Sequence, residues 1–386
     1  MSFFHGLQFP EPVTGVRPLL DKSTAVIGLV ATATAPAGAA TAALDAAFPL
    51  DRPVLVTDLR AALAAAGTGG TLGPALRSIA DQGTPMIVVV RVAVGANADA
   101  TEANVIGGQA GGRYSGMEAL LAAEALLGVR PRILGAPGLD SEDVLDALVV
   151  VAKSLRGFVY GACRGITTVG AAIAYRQQFS ARELMLIWPD ATGWDGQAVA
   201  TALGLRAMID EQVGWHKSLS NVAINGVTGL TRDVHFDIRD PSTDAGLLNQ
   251  APVTTIVRMN GYRFWGNRTC ADEPSFAFEP VVRTAQALQD LLAEVEAPFI
   301  DQPMTVGLVR DLVESGNALL RRLVGQDRLV GGTMSFDGAA NPAESLAGGR
   351  LVLDAEYTAP APLEGLTTNL RVTSAYYAGF GDALNA

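Results

Sequence analysis

The sequence has few of the residues on which catalytic and metal sites depend. Its 386 residues include three histidines, His5, His216 and His235, and two cysteines, Cys163 and Cys270. The histidines are not spaced as metal ligands, and the sequence contains neither a CxxC pair nor a His/Cys cluster. A zinc site and a disulfide framework are therefore not expected, and the cysteines are predicted to be buried free thiols.

Motifs for nucleotide and acyl chemistry are also missing. Neither GK[ST] nor GxSxG occurs, which excludes a P-loop and a hydrolase nucleophile elbow. The run GTGGTLG at residues 67–73 follows a predicted helix, the wrong context for a dinucleotide fingerprint. The run GGQAGGRYSG at residues 107–116 precedes a helix, and anion binding there is the alternative to the surface loop that we expect. No cofactor or catalytic residue is assigned.

Charge is scarce and biased to one sign. Charged residues make up 17% of the chain against 49% hydrophobic residues, and the net charge is −11. An acidic chain binds polyanions poorly, which argues against nucleic acid and anionic membranes as partners. No stretch reaches the ~20 apolar residues that span a bilayer, and the N-terminus does not read as a signal peptide, so synthesis in the cytoplasm is expected. The low charge fits a surface buried against other subunits; an alanine-rich compositional bias is the alternative.

Four aspartates cluster between residues 233 and 244. Arg232 and Arg239 are interleaved with them, and the glycine and terminal glutamate of an EF-hand loop are absent. A solvated, self-compensated loop is therefore expected rather than a calcium site.

Alternating strands and helices predict an α/β domain. Apolar runs at residues 26–30, 54–56, 86–94, 133–134, 158–160 and 184–187 read as strands, with helices predicted at 57–66, 72–80, 116–127, 141–155, 166–178 and 197–211. Strands that are apolar on both faces belong to sheets covered on both sides, so we expect a mostly parallel sheet between helices. Residues 213–246 are rich in Ser, Asn, Gly and Asp and read as a crossover loop, which closes a domain spanning residues 21–246.

A second domain is predicted for residues 247–374. It is expected to contain strands at 253–259, 329–336, 351–357 and 366–374, and helices at 274–292, 305–324 and 342–346. Residues 1–20, with three prolines, and the glycine-bearing tail 375–386 have no helical period. Both are predicted to be extended arms, and the alternation around Leu7 and Phe9 predicts a short strand that needs a partner.

Two features of the second domain indicate packing and interface chemistry. Residues 247–270, LLNQAPVTTIVRMNGYRFWGNRTC, hold a strand, a turn at Asn260-Gly261 and then an aromatic and basic cluster without a nucleophile or metal ligand set. This cluster comprises Tyr262, Arg263, Trp265, Asn267 and Arg268. The helix at 305–324 carries a polar stripe at spacings of four, three and four, which places its members on one face. The stripe is Arg310, Glu314, Asn317 and Arg321, with Arg322 beside it; it predicts either a solvated face or a docking face for an acidic partner.

Several phrases together resemble one protein family. In chain order they are MSFFHG at the start, TGVRPL at 14–19, VIGLV at 26–30, GVTG at 226–229, LLNQAPVTTIVRMNGYRFWGNRT at 247–269, VRTAQALQDLL at 282–292 and NPAESLAGGRLVLDAEYTAPAPLEGLT at 341–367. The chain is similar in these phrases to the contractile tail sheath proteins of P2-like phages and R-type pyocins. The resemblance covers the C-terminal third best and the α/β region in outline.

The resemblance implies a mechanical protein rather than an enzyme. It implies subunits in hexameric rings, stacked helically around a tail tube, that contract without a nucleotide and drive the tube through the host envelope. The partners would be sister subunits, the tail tube protein, and the baseplate and tail terminator proteins, in a virion tail assembled in the host cytoplasm. An outer α/β domain would decorate an inner α+β domain built from the chain ends.

The resemblance also implies roles for particular residues. Both arms would complete the sheets of neighbouring subunits, as main-chain strand addition allows. The arm residues implied are Phe3, Phe4, Leu7, Phe9, Val13, Val372, Tyr376, Tyr377 and Phe380. The stripe from Arg310 to Arg322 would face the tube. Two alternatives stay open: a nucleotide- or sugar-phosphate-binding α/β enzyme, and a sheath-like baseplate or secretion-system component.

Overall fold

An eight-stranded mixed sheet forms the centre of the protein, whose computed structural model describes residues 23–379. The strands are β1 Ile27–Thr32, β2 Pro53–Val56, β3 Ile87–Val92, β4 Gly108–Ala110, β5 Arg113–Ser115, β6 Ile133–Gly135, β7 Phe158–Ala162, β8 Leu184–Ile187, β9 Val253–Arg258, β10 Tyr262–Trp265, β11 Gly331–Ser335 and β12 Asp354–Thr358. The order in the large sheet is β10-β9-β8-β7-β6-β1-β3-β2. The predicted arm 1–20 and Phe380 lie outside the described residues.

Helices cover both faces of this sheet. They are α1 Ala39–Ala47, α2 Leu59–Ala65, α3 Leu72–Ala80, α4 Ala98–Ile106, α5 Ala123–Leu127, α6 Glu142–Leu155, α7 Val169–Arg176, α8 Gln197–Gln212, α9 Asp244–Gln250, α10 Glu279–Glu296, α11 Val306–Gly325 and α12 Ala343–Ala347. Short 3₁₀ turns lie at Gly116–Ala122, Pro274–Phe276, Ala297–Phe299 and Ala375–Gly379.

The central strands follow from their sequences. β1 and β3 read IGLVAT and IVVVRV, and all six positions of each are buried. Ile27 and Leu29 belong to one hydrophobic cluster and Val26 and Val30 to the other, as a period of two requires when both faces are covered. The neighbours from β3 to β9 pair in parallel, and antiparallel β2 and β10 form the two edges. The expected α/β class with a mostly parallel sheet is confirmed.

Capping side chains define the start of several helices. The Asp58 carboxylate accepts hydrogen bonds from the amides of Arg60 and Ala61 at 2.9 and 3.1 Å. It thereby caps α2, near the start of the helix predicted at 57–66. Ser141 caps α6 in the same way. The sequence analysis does not predict α1, α4 or α9. Helices α1 and α4 are rich in alanine and weakly amphipathic, and α9 has only seven residues, so each carries little periodic signal.

The strand at 253–258 corrects the predicted organisation. We expected it in the second domain, but β9 pairs in parallel with β8, and β10 extends the same sheet. The physical reason is that five of the six β9 residues are buried and an apolar strand satisfies its backbone at the open edge left by β8. The crossover loop therefore returns the chain to the sheet that it left.

Three smaller expectations also differ from the structure. The strand expected at 366–374 is absent; this segment is exposed and has no strand partner within the described part of the chain. The first residues of the tail form the 3₁₀ turn Ala375–Gly379. The loop expected at 107–116 contains the hairpin β4–β5, whose turn uses positive φ angles at Gly111 and Gly112.

A separate hydrophobic cluster builds the C-terminal unit. Helices α10 and α11 pack together, and the ribbon β11–β12 packs on α11. Its core side chains include Leu288, Leu291, Leu319, Leu320, Leu323 and Met334. This unit is linked to the sheet through α10.

Candidate assembly surface

The two edges of the β11–β12 ribbon differ. On the β11 edge, the Asn317 amide donates to the Met334 carbonyl at 2.8 Å and accepts from the Met334 amide at 2.8 Å. Within 23–379, the backbone hydrogen bonds of residues 354–358 to other segments run only to residues 330–335, which leaves the outer edge of β12 without any. An unpaired strand edge is a template for another strand.

The segment that follows β12 has the pattern of a strand without a partner. Leu366, Leu370 and Val372 all have even numbers, so they would lie on the same face of a strand, and they are 79%, 93% and 106% exposed. The residues between them, including Asn369 and Arg371, are polar. Tyr376 and Tyr377 are also exposed, at 89% and 71%. A period of two with one apolar face indicates a strand that is half-buried when paired.

An ion pair holds the start of this segment against the rest of the subunit. The Arg268 guanidinium donates to both carboxylate oxygens of Glu364, at 2.8 and 2.6 Å. The same guanidinium lies 5.0 Å from the ring centre of Phe278, immediately before α10. A planar guanidinium allows two-pronged binding of a carboxylate and stacking on a ring at once.

The other residues of the aromatic and basic cluster serve packing. The Tyr262 hydroxyl donates to the Thr228 carbonyl at 3.3 Å, and the Trp265 ring meets Phe236 edge-on at 5.0 Å. Arg263 donates to the carbonyls of Met259 and Asn221 at 2.8 and 2.9 Å. Asn267 is buried, and its carbonyl accepts the Glu279 amide at 2.9 Å. The free edge of β10 is covered by residues 221–224, whose amides bond to it.

The predicted stripe on α11 divides into separate environments. Arg310, Glu314 and Arg321 are exposed, and Glu314 and Arg321 approach to 3.6 Å. Asn317 leaves the stripe because its amide is committed to β11. Arg322 is half-buried. Beside the stripe lies an apolar groove of about 570 Å³ between α11, Phe336 and Leu346.

A buried charge network, which the sequence analysis missed, holds the start of α10. Arg206 of α8 contacts Asp210 at 2.6 Å and Glu279 at 3.1 Å, and all three side chains are inaccessible. Arg283 contacts Asp210, and the Tyr160 hydroxyl donates to Glu279 at 2.7 Å. Burial, followed by the Glu279 charge, raises the pKa of Tyr160 well above its ordinary value. The signal in the sequence is a pair of opposite charges four residues apart in each of the two helices, Arg206 and Asp210 in α8 and Glu279 and Arg283 in α10.

A second anchor holds the middle of α10. The Asp290 carboxylate contacts Arg132, and it lies 2.7 Å from Arg156 and 3.9 Å from Arg130. Burial lowers the pKa of Arg132 to about 10, against the opposing attraction of Asp290. Gln286 adds a hydrogen bond of 2.7 Å to the Gly157 carbonyl. Helix α10 is thus tied to the sheet domain at two points.

The carboxyl ends of β6, β7 and β8 border a crevice of about 300 Å³, on the side of the sheet where α/β enzymes bind their ligands. The buried carboxylates there hold backbone. Asp140 accepts the Ala162 amide at 2.8 Å, and Asp190 accepts the amides of Gly196 and Ala198 at 2.6 and 2.7 Å. Within residues 23–379, no group of three or more His, Cys, Asp or Glu residues could hold a metal ion. None of the helices described is both long and apolar enough to cross a membrane.

Comparison with known proteins gives a consistent result. A family model described as the central domain of phage tail sheath proteins matches residues 112–270. The tail sheath protein of Escherichia phage P2 is 45% identical over 400 residues, covering 100% of this chain and 99% of that protein. The major tail sheath protein of Serratia phage KSP20 is 43% identical, covering 97% of each. The sheath of an extracellular contractile injection system in its contracted state has the same fold, with a TM-score of 0.68 at 16% identity over 97% of this chain and 99% of that one.

Proposed function

The chain belongs to the phage tail sheath family, and from that premise we propose that it polymerises as stacked hexameric rings around a tail tube and contracts to drive the tube through a host envelope. Its role is structural and not enzymatic. The observation that carries the proposal is identity of 45% along the whole chain to a tail sheath protein. The further partners proposed are the tail tube, baseplate and tail terminator proteins.

The proposed inner domain is the C-terminal unit together with both chain ends. Because β9 and β10 lie in the large sheet, we now place its beginning near Phe278, at the start of α10, instead of at residue 247. Its own hydrophobic cluster supports this division. The eight-stranded sheet with its helices would then be the outer domain.

Strand exchange is the proposed link between subunits. The outer edge of β12, which pairs with nothing in residues 23–379, would accept an arm from a sister subunit, and residues 366–374 would pair with a neighbour in turn. Val372, Tyr376 and Tyr377 are exposed and offer apolar surface for that contact. Phe3, Phe4, Leu7, Phe9, Val13 and Phe380, outside the described residues, remain the other proposed arm contacts.

Deletion of residues 1–20 tests the exchange of arms. The full chain should form tubes in negative-stain micrographs, whereas the shortened chain should stay a folded monomer with unchanged circular dichroism. Normal tubes from the shortened chain would refute N-terminal strand exchange. A full chain that forms only a small soluble oligomer at every concentration would refute the sheath assembly itself.

A further inference from the structure

Both terminal segments are held at the beginning of α10. Arg283, in the first turns of α10, donates to the Thr24 carbonyl at 3.4 Å, where the described chain begins. Glu364, where the C-terminal segment leaves the body, is bound by Arg268 above the Phe278 ring. The Glu279 amide at the start of α10 donates to the Asn267 carbonyl at 2.9 Å, which connects α10 to the segment that carries Arg268.

The two attachments differ in their access to water. The side chain of Arg283 is 3% exposed, and it belongs to the buried network. Arg268 and Glu364 are 37% and 42% exposed. A buried ion pair is costly to open because a charge would be left unpaired, whereas an exposed pair is weak and is screened by salt. The N-terminal attachment is a hydrogen bond from a guanidinium that its buried contact with Asp210 holds in place, and the chain enters β1 three residues after Thr24. The C-terminal attachment is an exposed ion pair, and it can open.

Beyond Glu364 the chain offers much apolar surface to a partner and little to its own body. Leu366, Leu370 and Val372 are at least 79% exposed. The direction in which these residues leave the body therefore depends on the Glu364 contact more than on burial. A single bidentate pair at the root is well placed to set that direction.

We propose that the Arg268–Glu364 pair is a releasable latch that sets the direction of the C-terminal segment. The latch is closed in the free subunit, and it opens when packing between subunits changes, so that the segment keeps its partner while the body moves. The proposal rests on the proposed exchange of arms. It deepens that function by assigning the control of arm direction to two named side chains.

Distances between spin labels in the full-length monomer test the latch. Ser154→Cys on α6 and Thr373→Cys in the segment supply the two labelling sites, because Cys163 and Cys270 are 4% and 0% exposed. Glu364→Gln removes the charge at nearly constant size, and Glu142→Gln, at an exposed site on α6, is the matched control. The double variant Arg268→Gln/Glu364→Gln tests whether the two side chains act as one unit.

Opening the latch should broaden the distance distribution. We expect Glu364→Gln to widen it about twofold at low salt, the double variant to add nothing further, and Glu142→Gln to leave it unchanged. At about 1 M salt, where screening acts over about 3 Å, the parent distribution should approach that of Glu364→Gln. Equal widths for the parent and Glu364→Gln at low salt would overturn the latch. The spin-label distances are measured in the monomer, so they test the latch even if the full chain does not form tubes. A failure of the assembly proposal would instead be seen in the micrographs.

Discussion

Buried carboxylates in this protein hold backbone and neighbouring elements together. Asp140 is 1% exposed and accepts the Ala162 amide through one oxygen, while its other oxygen has no hydrogen-bond partner among the described residues. Burial raises the pKa of the Asp140 carboxyl from 3.8 to about 6, despite that hydrogen bond. The group is therefore a source of pH-dependent stability, although it belongs to no catalytic site.

Asp140→Asn should change the pH dependence of folding. Between about pH 4 and pH 6 the folded chain keeps a proton that the unfolded chain has lost, so stability falls as pH rises through this window. At pH 7 the buried charge costs about 3 kcal/mol, which asparagine avoids while still accepting the Ala162 amide. Urea unfolding of the monomer should show the variant gaining this amount relative to the parent between pH 4 and pH 7.

An exposed aspartate provides the control for this measurement. Asp99 is exposed on α4, so Asp99→Asn makes the same chemical change without removing a buried charge. If the stability curves of Asp140→Asn and the parent run parallel from pH 4 to pH 7, the raised pKa of Asp140 is contradicted.

At the scale of elements, the sequence predicts local structure better than it predicts which elements pair with each other. Caps and apolar periodicity gave α2, α3 and α6, because those signals lie within a few residues of the helix that they define. The sequence of β9 predicts a strand, but its neighbour is decided by which edge the rest of the fold leaves open.

The candidate surface was predictable to the same extent. The sequence predicts a strand at 366–374, and the structure leaves this segment exposed because no strand edge within residues 23–379 pairs with it. The stripe on α11 was predicted from spacing, yet spacing cannot reveal that Asn317 is committed to Met334. Nor could it reveal the Arg268–Glu364 contact, whose partners are 96 residues apart.

Assembly should be more sensitive to substitutions on the apolar, even-numbered face of the C-terminal segment than on its polar, odd-numbered face. Val372→Asp places a charge on the apolar face, where pairing with a neighbour would bury it, whereas Thr373→Asp places the same charge on the polar face. We expect Val372→Asp to raise the protein concentration needed for polymerisation about tenfold or more, as loss of about 1.4 kcal/mol per contact requires. Thr373→Asp should have a much smaller effect.

Sedimentation of polymer across a concentration series measures this difference. Both positions are exposed in the monomer, so the two variants should unfold at the temperature of the parent. Equal impairment by the two substitutions would show that the segment does not pair as a strand with a buried even-numbered face.

At the scale of the molecule, α10 makes the two units one mechanical body. Its anchors at Glu279 and Asp290 are separated by 11 residues (290 − 279), which is about 16 Å along a helix. Two attachments this far apart resist both sliding and rotation of α10 against the sheet. In the proposed sheath, subunits would then move as rigid bodies, and the terminal segments would be the parts that bend.

The outward charge of α11 should matter only when a tube is present. Arg310 and Arg321 are exposed, and Arg310→Glu/Arg321→Glu would turn an attraction for an acidic tube into a repulsion. We expect the rate of assembly on purified tubes to fall about tenfold or more, with the loss increasing as salt is lowered. Tube-free polymer, scored by electron microscopy, should form as for the parent.

The double variant Arg52→Glu/Arg60→Glu makes the same change of charge at exposed positions on the proposed outer domain, one immediately before β2 and one in α2. Because the net charge of both variants is equal, only the location of the substituted side chains differs between them. The control should assemble on tubes at the parent rate. Equal rates for the α11 variant and this control would remove α11 from the tube interface, and tube-free polymer lost only in the α11 variant would place this helix between sheath subunits instead.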